Sequence, residues 1–183
     1  MAEATRTAQV AKEMAEYGIE VLGISERMGS TTLQSSVKVV YVGDEKVRQG
    51  GVAIMKSVRA KRALMEWTPI SQRITKARFY SKDKKLTVIQ THAPTNDAMD
   101  EEKDEFYNQL QDTVSSCNRH DMIVVIRDLN AKLGDNNTNR EEVMGKFGVG
   151  AMNDNGERLC EFCSANGLVI TGTKYSHTKR SIS

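Results

Sequence analysis

The residues best suited to chemistry in this sequence sit where apolar runs end. "MIVVIRDLNAKLG" (122–134) passes from five apolar residues straight into Arg127, Asp128 and Asn130. Asp128 and Asn130 are two apart, so an extended backbone sends both side chains to one face. A carboxylate there orients water or a metal, and a neutral amide donates to a phosphate oxygen without adding negative charge. That pairing suits phosphodiester hydrolysis better than a second carboxylate would. An Asx turn closing the strand is the alternative. Glu26 follows "IEVLGIS" in the same way, at the kind of strand end where α/β proteins place ligand groups. Glu26 and Asp128 together would supply oxygen ligands to Mg²⁺; the competing reading is that each caps a turn.

Other polar residues extend the set. His92 in "QTHAPTND" lies at a third strand end, where an imidazole would bond phosphate or carry a proton, against the reading of a polar surface residue. Asn96 and Asp97 either cap the coming helix or line the site. In "GAMNDNGERL", Asn153 and Asn155 would position a ligand, and a helix cap is the default for Asn155. Lys56, Arg59, Lys61 and Arg62 form a basic run near Trp67, open to phosphate-backbone contact or to plain solvation. The glycines of "GKFGVGAMNDNG" follow no clear strand, which argues against a dinucleotide loop. Cys160 and Cys163 have no second pair to complete a zinc site and read as small core residues, and His120 and His177 add no ligand spacing.

The elements that must position these residues follow from periodicity. Val10, Met14 and Tyr17 share a helical stripe stopped by Gly18. Strands follow at 19–25, 37–42 and 52–55, the last two flanking "GDEKVRQGG", in a hairpin or meander. Two more, 73–80 and 85–92, form an antiparallel pair across the charged turn "SKDK". A helix over 100–117 buries Phe106, Leu110, Val114 and Cys117, and the strand 122–126 comes next. A polar loop leads to a helix over 157–165, and "LVITGT" (168–173) is a final strand. Crossover helices mixed with antiparallel pairs fit an α/β fold of two packed sheets with outer helices.

Composition bounds the rest. The 183 residues suffice for one domain with a substantial core. With 26 basic and 24 acidic side chains, the net charge of +2 neither demands nor excludes nucleic acid. No run approaches about 18 apolar residues, and no basic-then-apolar leader opens the chain. The expectation is an intracellular protein, of nucleus or cytoplasm, without membrane insertion.

The blocks "TAQVAKEMAEYGIEVLGISE", "GGVAIM", "VIQTHAPTND", "DEFYNQLQ", "IRDLNAKLG" and "EEVMGKFGVGAMNDNGERLCEFCSANGLVITGT" occur in an order that resembles the endonuclease/exonuclease/phosphatase superfamily. Within it they resemble the apurinic-type endonuclease domain of non-LTR retrotransposons. The resemblance runs from Thr5 to about Lys179 and implies a four-layer α/β sandwich forming a single domain over 1–183. It also implies a DNA-nicking phosphodiesterase using Mg²⁺ or Mn²⁺. Glu26 matches the family's metal-binding glutamate, and Asp128 and Asn130 match the Asp and Asn of its "GDxN" motif. There the Asp orients water and the Asn binds the scissile phosphate; Asn155 matches a polar position lining the site.

Departures accompany the match. The family's first strand, with its metal-assisting Asn, precedes the helix at which this chain begins. His92 stands in place of a phosphate-contacting tyrosine, and Arg127 in place of a glycine. The family's late Asp–His pair lies beyond Ser183. The expectation is a monomeric, DNA-directed domain with weak or lost hydrolysis and exposed sheet edges that favour self-association. The alternatives are an inactive remnant that binds nucleic acid or protein, and a small-molecule phosphatase relative.

Overall fold

A computed structural model describes residues 2–25, 38–42 and 52–176. The stretches 43–51 and 177–183, with the "GDEKVRQGG" turn and His177, lie outside the described residues, as does Glu26. The described elements run α1 (Ala2–Glu16), β1 (Val21–Ser25), β2 (Lys38–Val42), β3 (Val52–Lys56), α2 (Val58–Ala63), β4 (Leu64–Ser71), β5 (Ile74–Phe79), β6 (Leu86–His92), α3 (Asp100–Ser115), β7 (Met122–Asp128) and α4 (Asp154–Ala165). The chain divides into two compact units, Met1–His92 with Asp112–Asp128, and Ala93–Gln111 with Leu129–Ser183.

The first unit holds two sheets, in strand orders β1-β3-β2 and β4-β5-β6-β7. The first is antiparallel throughout; the second is mixed, because β6 and β7 run parallel. The β2–β3 hairpin and the β5–β6 pair match the reading of the sequence. A meander does not form, since β3 lies between β1 and β2 and pairs with both. The reason is visible in β3, whose five residues are all buried and so need cover on both edges and both faces. On one face Met55 meets Ala11 and Met14 of α1, with Leu22 and Ile24 packed alongside. On the other, Ile54 joins Ala77, Phe79 and Val88 of the second sheet in the core between the sheets. Helices thus flank two packed sheets. Gly18, at φ 64°, turns the chain from α1 toward β1.

One contact sets the spacing between the sheets. A Cβ on Gly23 of β1 would stand 1.7 Å from Oε1 of Gln90, a β6 side chain only 1% exposed. Only glycine admits that side chain at this point.

β4 has no counterpart in the periodicity. Its "LMEWTPIS" carries Pro69 and Glu66 and two register shifts, as suits an edge strand. In the second unit, Tyr107 of α3 sits between Phe106 and Phe162, with ring centroids 5.3 and 6.1 Å away. "LVITGT" is not a strand: Ile170 makes a single bridge to Met144, and Thr171–Thr173 forms a 3₁₀ turn. Leu168 instead donates its N–H to Cys163 O, closing α4. Cys160 and Cys163 are buried in α4, and burial pushes the Cys163 thiol up to about 12, so both act as core residues.

Candidate functional site

In the first unit the parallel pairing of β6 and β7 places His92 directly opposite Asp128. Both strands end there, β6 because Ala93–Pro94 follows and proline cannot extend a ladder. The end of β6 is pinned to the start of β5. His92 N–H donates to Arg73 O at 2.9 Å, and Arg73 Nη1 donates to His92 O at 3.4 Å. The imidazole is half-buried and its Nδ1 has no hydrogen-bond partner among the described residues, a condition shared with Gln90 Oε1 and Thr91 Oγ1 just before it. Asp128 is exposed. The parallel register therefore brings together two of the residues singled out in the sequence. Arg127 continues β7 opposite Thr91, and its side chain lies outside the described part.

The second unit gathers the asparagines. Asn130 adopts φ 48°, so the backbone is left-handed two residues after β7 ends, and the strand alternation expected for Asp128 and Asn130 does not reach Asn130. Its amide Nδ2 donates to Ala93 O at 2.9 Å and Pro94 O at 3.4 Å. Asn155 is 1% exposed and donates from Nδ2 to Pro94 O at 3.0 Å and to Asn130 O at 3.4 Å. The cap of α4 is Asn153, not Asn155. Its Oδ1 accepts from Gly156 N and Lys132 N, both at 2.9 Å, while its Nδ2 donates to Asn130 O at 3.0 Å. Both asparagines of "NDNG" compete for the cap by residue type alone; burial of Asn155 in the first turn decides it. Gly156 completes the arrangement, since a Cβ there would stand 2.1 Å from Lys132 O. The sequence signal that could have revealed this cluster is the tight "NDNG" itself, with two amides and a glycine where one cap suffices.

The other candidates are dispersed. Asn96 is exposed in the turn before α3. Lys56 is a buried β3 residue, 4% exposed, and so is not part of a solvated basic face. Arg59, Lys61 and Arg62 are exposed on α2, whose cap is Ser57, and Arg59 lies 3.5 Å from Glu20. Among the described residues no three His, Cys, Asp or Glu side chains converge as a metal site would require, and no helix is long and apolar enough to cross a membrane.

A comparison of the chain with protein-family models matches none. Craniofacial development protein 2 of Bos taurus is 36% identical over 174 residues, covering 93% of this chain and 29% of that protein. Among solved structures, the endonuclease domain of TRAS1, a telomere-specific non-LTR retrotransposon, superposes with a TM-score of 0.59 at 13% identity, over 87% of this chain and 65% of that one. The chain shares its fold with that endonuclease domain. TDP2 of D. rerio, complexed with a single-strand DNA product, shares this fold at a TM-score of 0.54 and 14% identity, over 71% of this chain and 54% of that one. The chain spans under a third of the length of the curated relatives it matches.

Proposed function

We propose that this chain is a catalytically inactive endonuclease-type domain that serves as a nucleic-acid binding module. The resemblance of its sequence blocks and its fold relatives support a link to metal-dependent phosphodiester hydrolases. The observation that carries the proposal is the engagement of Asn130. The amide that the resemblance assigns to the scissile phosphate donates instead to Ala93 and Pro94 carbonyls. A transition-state donor must be aimed at where charge develops, and removing one such donor lowers the rate about a hundred- to a thousandfold.

Mg²⁺ asks for several oxygen ligands in near-octahedral geometry. The described residues at the ends of β6 and β7 supply Asp128 with His92 opposite it. Glu26, the glutamate that the resemblance assigns to the metal, lies outside the described residues, and no hydrolytic step is assigned to this pair. The nucleic-acid partner is supported by two relatives in fold, a retrotransposon endonuclease domain and a TDP2 seen with a single-strand DNA product.

The His92–Asp128 register favours one second reading, a residual phosphodiesterase. Supercoiled plasmid incubated with the pure protein and Mg²⁺ or Mn²⁺ separates the two. The expected result is no nicking beyond that of an Asp128→Ala control, with a mobility shift of the DNA at low salt. Nicking that disappears in Asp128→Ala overturns the proposal in favour of the second reading.

A further inference from the structure

The amino ends of β6 and β7 carry a second set of charges that the residues at their carboxyl ends do not explain. Two turns meet there, the "SKDK" turn between β5 and β6 and the "NRHD" turn before β7. The latter is tightly built: Asp121 N–H donates to Asn118 O at 2.9 Å, and His120 N–H donates to Asn118 Oδ1 at 3.0 Å. Met122 N–H donates to Lys85 O at 2.8 Å, which ties one turn to the other.

Asp121 anchors the pair from below. Its side chain is 2% exposed and accepts from Arg78 Nε at 2.6 Å, from Arg78 Nη2 at 2.9 Å and from Thr87 Oγ1 at 2.8 Å. The bidentate pair neutralises this buried carboxylate. Above it lies a cleft of about 440 Å³ whose lining includes Lys84, Lys85, Arg119, His120 and Asp83. Once Arg78 and Asp121 are set against each other, three cations of the lining face one carboxylate, Asp83. Lys84 and Arg119 are exposed, and Arg119 Nε is held 3.3 Å from His120 Nε2.

This distribution discriminates among anions. A single small phosphate is gripped by convergent buried donors, whereas here the cations stand at the rim of two turns. Cations spread along an open cleft suit a backbone of successive phosphates, which they track without reading sequence. We propose that this cleft is a contact surface for the phosphate backbone of single-stranded nucleic acid, at the opposite ends of β6 and β7 from His92 and Asp128. It rests on the binding-module reading for the class of partner and adds the place.

The test is fluorescence anisotropy of a labelled single-stranded DNA oligonucleotide of mixed sequence, titrated with the full chain over a series of NaCl concentrations. A Lys84→Gln/Arg119→Gln variant is compared with Lys12→Gln/Lys146→Gln, which removes the same charge from exposed positions elsewhere. The expected result is at least a tenfold weaker Kd for the cleft variant at low salt. Its slope of log K against log salt becomes shallower by about 1.4, or about 0.7 for each phosphate no longer neutralised. The control variant keeps the wild-type slope. Wild-type binding that survives in both variants, or weakens equally in both, overturns the cleft while leaving the binding module standing. A wild-type chain that does not bind the oligonucleotide overturns both. Should the cleft variant melt early, Lys84→Gln alone, on an exposed turn, repeats the comparison.

Discussion

Asn130 turns the question of activity into a question of which oxygen its amide meets. In a left-handed turn with Nδ2 on Ala93 and Pro94 carbonyls, it holds chain segments together. Asn130→Asp is therefore expected to destabilise the fold. It would set a carboxylate against two carbonyl oxygens, at a cost of about 1–3 kcal/mol in urea unfolding. The left-handed backbone is not the cause, because Asp tolerates it nearly as well as Asn. An unchanged unfolding midpoint would contradict the clamp. At this scale the sequence made His92 and Asp128 legible as strand ends, and the parallel register sets them opposite each other. It could not reveal Asn130's partners. The spacing argument assumed extended backbone, and φ 48° breaks that assumption two residues past the strand.

Elements with strong periodicity were readable, and those defined by their edges were not. β3, β5, β6 and α3 announce themselves through apolar spacing. β4 is interrupted by Pro69 and Glu66, and its existence follows from pairing to β5 rather than from its own pattern. The start of α4 turned on a choice between two asparagines that only tertiary contacts resolve. Asn153 satisfies two backbone N–H groups at once, those of Gly156 and Lys132. Asn153→Ala is expected to lose about 1–2 kcal/mol, at the upper end for a cap. Amide hydrogen exchange should quicken at Gly156 and Lys132 together. Faster exchange at Gly156 alone would mean that the link to the 130–132 loop contributes nothing.

For the molecule as a whole, acid is the condition that reaches both compact units. Arg78 and then Thr87 hold the Asp121 carboxyl below the usual carboxylate range in the first unit; Lys103 and Arg158 do the same for Asp154 in the second. A depressed folded-state value means the stabilisation is present above the unfolded value, about pH 4, and disappears as pH falls through the folded value. The urea midpoint is expected to stay level from neutral pH to about 5 and to drop below about 4. Asp121→Asn should lower the midpoint at neutral pH and make the acid fall shallower. An identical acid profile in that variant would remove the Arg78 pair as a cause. The two-sheet architecture itself was anticipated from mixed strand order. What was not anticipated is how close the sheets come at Gly23, because that depends on where the Gln90 side chain ends.

The parallel join of β6 to β7 has a consequence for how the chain reaches its native state. His92 and Asp128 meet only after the chain has travelled out through α3 and back, whereas β5 and β6 meet across a short turn. Closing the longer loop carries a larger entropic penalty, and non-local pairings form more slowly than local ones. A chain emerging from the ribosome can assemble the β5–β6 hairpin well before β7 exists, leaving one side of β6 waiting for a partner. The candidate site is thus a late product of folding, and it is created by the slower of the two pairings that β6 makes.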